Sequence, residues 1–121
     1  MTLLLVDGAN VVGSRPDGWW RDRAGAAGRL RDALLPVAAQ GLPDLPPPLE
    51  VVLVVEGRAR GVQSAGEVRV VAAPGSGDDT IVALVTGAGA RRTVVVTADR
   101  GLRERVKALG AEVRGPRTLA Y

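Results

Sequence analysis

Five carboxylates stand out in this chain by where they fall. Asp7 closes the apolar run Leu3-Leu4-Leu5-Val6, Glu56 follows Val51 to Val55, Asp78 and Asp79 open GDDTIVALV, and Asp99 follows the fourth apolar run in VVVTADRG. Each has an ordinary explanation. Asp-Gly is a common turn signal, and an acid at a helix start can cap it and favour its positive end. The conjunction is harder to explain that way. Carboxylates that converge repel one another and raise one another's pKa, a cost that a bound cation offsets. With no His and no Cys in the chain, the usual zinc ligands are missing. A set of oxygen donors suits Mg²⁺ or Mn²⁺. Such ions activate water and steady an in-line displacement at phosphorus, so the chemistry expected is metal-dependent phosphodiester hydrolysis.

The arginines fall beside the acids. Arg15 lies in the loop after Asp7, Arg58 and Arg60 follow Glu56, and Arg100 and Arg103 follow Asp99. A negative centre inside a positive collar suits a polyanionic strand, with arginines on the flanking phosphates; solvated surface charge is the plainer alternative. Arg29, Arg31, Arg105 and Lys107 read as that plainer kind. The pI near 10.5 overstates the basic character, because the net charge is only +3 and one Lys, fifteen Arg and no His or Cys leave little to titrate near neutrality. Trp19 and Trp20 can stack on bases, but in a chain without Phe one of them is expected to anchor a helix to the core.

These side chains need a frame that brings them together. Residues 2–6 and about 50–55 read as buried strands, and about 67–72 and the VVV of residues 94–96 as further strands. A polar loop is expected through Ser14, Pro16 and Gly18, then a helix from Trp19 to about Ala39 with Leu30, Ala33, Leu34, Val37 and Ala38 on its inner stripe. Pro36 is expected to kink or end that helix early. GLPDLPPPLE is a rigid connector. Two more helices follow Asp78 and Asp99, the first with Ile81, Leu84, Val85 and Ala88 inward, and a short strand ends the series. Strands alternating with helices predict an α/β fold, a three-layer sandwich around a mostly parallel sheet of about five strands, as one domain over residues 1–121. In a parallel sheet all strand ends share one edge, which would gather the acids. The absence of cysteines, of a basic leader and of any membrane-length apolar run sets the expectation of a cytoplasmic protein without membrane contact.

Four segments, LLLVDGANVVGS, VVEGRAR, GSGDDTIVALV and VVVTADRGLRERV, together resemble the NYN domain, a branch of the PIN-like metal-dependent ribonucleases. The similarity runs in register from residue 3 to about 115 and is nearest to the small bacterial YacP-like proteins. The resemblance implies a ribonuclease using Mg²⁺ or Mn²⁺. It implies metal-ligating or catalytic roles for Asp7, Asp78 and Asp99, secondary acids in Asp79 and Glu56, an Asn10 that orients the loop or a water, and a Thr97 hydroxyl near the centre. The implied partner is RNA, with ribosome-associated messenger RNA or tRNA as candidate classes, and a homodimer is left open. Two other classes compete. A haloacid-dehalogenase-type phosphatase wants a second Asp two residues after the first, where Ala9 stands. A non-catalytic RNA- or ribosome-binding module with a vestigial metal site would keep the collar without the chemistry.

Overall fold

A strand without a polar face must be covered from both sides, and that requirement sets the architecture. The computed structural model describes residues 1–121 as β1 (Thr2–Asp7), α1 (Gly8–Gly13), α2 (Arg23–Gln40), β2 (Leu49–Val55), β3 (Val68–Ala72), α3 (Gly77–Gly87), β4 (Thr93–Val96), α4 (Arg100–Ala108) and β5 (Glu112–Arg114). Single 3-10 turns occupy Trp19–Arg21, Gly57–Ala59 and Pro116–Thr118. The sheet order is β3-β2-β1-β4-β5, and every pairing is parallel rather than most of them. The chain winds to one side of β1 through β2 and β3, then crosses back to start β4 on the other side. That reversal makes a switch point at the carboxyl ends of β1 and β4, where departing connections leave a crevice.

Alternation along β1 divides the core into two layers. Leu4 and Val6 pack with Leu30 and Leu34 of α2 and Val11 of α1. Leu3 and Leu5 pack on the other face with Ile81 and Val85 of α3 and Leu102 and Val106 of α4. Leu4, Leu5 and Val6 have 0% exposure, and burying a side chain of this size contributes about 1.5–3 kcal/mol. The same alternation aims Asp7: two residues beyond Leu5, it faces the α3 and α4 side, in register with Val54 of that layer.

Local details depart from expectation. Residues 8–13 are helical rather than part of a loop, because Val11 and Val12 are buried in the α1/α2 layer. The long helix begins at Arg23, not Trp19, since Asp22 caps it by accepting the Gly25 N–H at 2.9 Å. Pro36 does not end that helix, which runs on to Gln40. Pro36 is exposed, so the carbonyl whose partner it removes can turn to water, while Leu34 and Ala38 on either side hold the helix to the sheet. Gly41 stops it, with φ 72° and its N–H on the Val37 carbonyl at 2.8 Å. No helix is long and apolar enough to cross a membrane.

Candidate functional site

Asp7 ends β1 and is only 5% exposed. It stands at the N-cap position of α1, yet its side chain makes no capping bond. It is engaged across the sheet instead. Thr97, buried just past β4, donates its hydroxyl to Asp7 Oδ2 at 2.8 Å. The same Thr97 oxygen accepts the Asp99 backbone N–H at 3.1 Å, which leaves the hydroxyl proton for the carboxylate. Asn10 makes a parallel link, its Oδ1 accepting the Ala98 N–H at 2.8 Å. The β1–α1 and β4–α4 junctions are thereby tied across the switch point. Gly8 permits the arrangement: a Cβ there would lie 2.5 Å from the Val54 carbonyl oxygen. The glycine after Asp7 answers a close approach to β2, not a left-handed turn.

The remaining acids differ in what holds them. Glu56 is half-buried after β2, and its Oε2 accepts the Gly77 N–H at 2.7 Å, reaching the start of α3. Ser76, rather than Asp78 or Asp79, caps α3 by accepting the Asp79 N–H at 3.5 Å. Asp79 turns to solvent and pairs with Arg105 at 3.1 Å, whereas the half-buried Asp78 enters no ion pair or hydrogen bond. Asp99 caps α4 through Oδ1, which accepts the Leu102 N–H at 2.9 Å.

Burial, above all, pushes the Asp7 carboxyl up from 3.8 to about 6. The Thr97 hydroxyl and the nearby Asn10 N–H pull it back, and the charges of Asp78 and Glu56 push it further. Asp78 is raised too, by burial first and then by Asp99 and Glu56, with Arg105 opposing. No arginine or lysine forms an ion pair with Asp7, Glu56, Asp78 or Asp99. Free oxygens of these acids therefore face one rim without an internal counter-ion, a donor set that fits a hard divalent cation. No three of them close on one point as a ready-made cage. Mg²⁺, which keeps several waters and takes one or two carboxylates, needs less than a full cage.

Of the arginines expected in the collar, Arg58 and Arg100 are exposed, Arg103 is half-buried, and none of the three is ion-paired. Arg15 and Arg60 are partly engaged within the protein. Arg15 meets Asp17 at 3.4 Å and lies 4.2 Å from the Tyr121 ring centre; Arg60 donates to the Gly57 and Pro74 carbonyls at 3.1 and 3.5 Å. Arg105, read from sequence as plain surface, instead reaches Asp79 on a different helix and bears on Asp78. Trp19 packs on the α1/α2 layer, the anchoring role expected of one Trp, and Trp20 is 56% exposed. Arg23, which no sequence signal singled out, stands over Trp19 at 5.4 Å.

No protein-family model matches this chain, and no curated protein does either. Solved structures do match. One superposes with a TM-score of 0.79 at 21% identity, covering 98% of this chain and 71% of its own, and it is Rae1 (YacP) from Bacillus subtilis. The fold is that of Rae1. A point mutant of the same protein gives a TM-score of 0.74 at 22% identity, covering 98% of this chain and 72% of its own. The α/β sandwich and the YacP-like resemblance read from the motifs are thus met at the level of fold. The likeness to Rae1 spans nearly the whole chain.

Proposed function

We propose that this protein is a metal-dependent ribonuclease that hydrolyses RNA phosphodiester bonds at the carboxyl edge of its sheet, with Mg²⁺ or Mn²⁺ as cofactor. The observation that carries the reading is Asp7: buried, raised to about 6, with acids and no cation as its charged neighbours. A carboxylate that costs stability in this way is accounted for by a cation it helps to hold. The fold shared with Rae1 and the resemblance to the NYN ribonucleases support RNA as the substrate class.

Asp7, Asp78 and Asp99 would hold the ion or its waters, with Glu56 behind them and Asp79 outermost. A bound Mg²⁺ or Mn²⁺ supplies charge neutralisation at the scissile phosphate and a water of lowered pKa. The chain's own residues do the positioning. Thr97 fixes one Asp7 oxygen and leaves the other for the ion. Asn10 keeps the two junctions at constant separation through Ala98. Arg58, Arg100 and Arg103 bind flanking phosphates, where a guanidinium gives forked, charge-assisted hydrogen bonds.

The test is incubation of purified protein with structured and unstructured RNA, with and without Mn²⁺. The wild type should give metal-dependent fragments, and Asp7→Asn should lose cleavage by orders of magnitude. RNA binding in chelator should hold or tighten in the variant, since a negative charge facing phosphate has gone. Undiminished cleavage by a rigorously purified Asp7→Asn protein refutes the assignment. The openness of the acid set favours one second reading, a non-catalytic RNA-binding module. It expects RNA binding by both proteins and metal-dependent cleavage by neither.

A further inference from the structure

On the α1/α2 side of the turn that carries Asp7 lies a cavity of about 260 Å³. Val12, Ala27 and Val55 give it an apolar lining, and Trp19, Arg23 and Glu56 complete its walls. The Trp19 ring is held on two sides: Trp20 meets it edge-on with ring centres 6.0 Å apart, and the Arg23 guanidinium lies 5.4 Å from its centre. Cavity and acid rim share walls. Gly8, the residue after Asp7, lines the cavity, and so does Glu56, whose charge bears on both Asp7 and Asp78. Beyond Arg23 a second, polar depression of about 340 Å³ is lined by Trp20, Arg21 and Arg58. Its acid, Asp22, has one oxygen engaged in capping α2.

An apolar slot with an aromatic wall, set between an acid rim and a basic trough, has the sequence of parts of a nucleic-acid strand: a base flanked by phosphates. We propose that the Trp19–Arg23 cavity receives one unpaired nucleobase of the RNA, with the phosphate on one side at the acid rim and the next in the trough of Arg21, Arg23 and Arg58. The inference takes its substrate class from the ribonuclease reading. It adds that the substrate is single-stranded at this point, because a base must leave its stack to enter a slot. Arg23 supplies donors to the base, and the Glu56 oxygen not engaged by Gly77 supplies an acceptor for a base N–H.

The probe is a pair of strands of equal length and charge, an RNA octamer and the corresponding abasic ribose-phosphate octamer, titrated by fluorescence anisotropy in EDTA. The wild type should bind the base-bearing strand about tenfold more tightly, the scale of one aromatic stacking contact. Ala9 lines the cavity from an exposed position on α1, so Ala9→Leu narrows the slot without entering the core. That variant should lose most of the preference while keeping its affinity for the abasic strand, and Trp19→Leu, verified as folded by circular dichroism, should do the same. Equal binding of both strands by the wild type overturns the proposal, as does a preference left intact in Ala9→Leu. Because no metal is present, the result is independent of cleavage. A base preference in a protein that never cleaves keeps the slot and refutes the nuclease; cleavage without base preference does the reverse.

Discussion

Replacing Asp7 with Asn should make the metal-free protein more stable at neutral pH, the reverse of the usual result of altering a buried, hydrogen-bonded residue. Asn keeps the shape, and its amide oxygen can still accept the Thr97 hydroxyl bond, 2.8 Å in the native protein. What it removes is charge. A carboxyl held at about 6 in the folded protein against an ordinary 3.8 binds its proton more tightly folded than unfolded. Stability therefore falls as pH rises through that window, and above it the whole penalty is present. At about 1.4 kcal/mol per pKa unit this amounts to about 3 kcal/mol. Asp7 is only 5% exposed, so solvent screening removes little of it. The new amide N–H groups need partners of their own, at about 1–3 kcal/mol, which leaves a net gain of up to about 2 kcal/mol, or up to roughly 8 °C in Tm.

The assay is thermal unfolding of both proteins in EDTA between pH 4.5 and 8. The curves should approach each other at the acid end and separate with Asp7→Asn the more stable at the alkaline end. Asp78, also raised, titrates in both proteins, and relief of its repulsion with Asp7 is part of the same separation. Millimolar Mn²⁺ should then stabilise the wild type more than the variant, by binding linkage. Parallel pH profiles, or a variant less stable than wild type at pH 8, would refute the reasoning that burial governs this carboxyl.

Two further perturbations test its surroundings. Thr97→Val keeps side-chain volume but deletes both hydroxyl bonds, leaving the Asp99 N–H and an Asp7 oxygen without partners. It should lower stability by about 2–3 kcal/mol in denaturant titration and weaken Mn²⁺ binding tenfold or more as the ligand loses its orienting group; a loss under about 0.5 kcal/mol would mean the relay holds nothing. Arg58→Ala combined with Arg103→Ala should leave folding intact, since neither is ion-paired, while the slope of log K against log salt for single-stranded RNA falls by about 1.4. An unchanged slope would class both as plain surface.

The central strands β1, β2 and β4 were legible because a continuous apolar run has few other uses in a chain of this length, and parallel pairing followed from the helices that separate most strands; β2 and β3 pair in parallel with only a 3-10 turn and a loop between them. The first helix was not legible. GANVVG holds two glycines and only two large apolar residues, and it is helical because Val11 and Val12 are gripped by the α1/α2 layer. Pro36 misled for a related reason. The local rule counts one lost hydrogen bond, whereas the outcome turns on which side of α2 faces water.

The positions of the acids were legible from topology alone, since every crossing departs from one sheet edge. Their partners were not: Thr97 and Asp7 are 90 residues apart, Arg105 and Asp79 are 26 apart, and Glu56 and Gly77 are 21 apart. Those partners are what separate five acids that look alike in sequence. Asp79 is drawn outward by Arg105, Asp99 gives one oxygen to a helix start, Glu56 gives one to Gly77, and Asp78 gives none. Asp7 is the singular case, because the groups that steady it are neutral, the Thr97 hydroxyl and the Asn10 backbone N–H, and they leave its charge uncompensated. A turn residue chosen only for shape could be Asn at position 7, accepting the same Thr97 bond and avoiding the cost of burying a charge. The structural duties of the site are thus met without the charge, and the charge at Asp7 is left to be explained by what it attracts.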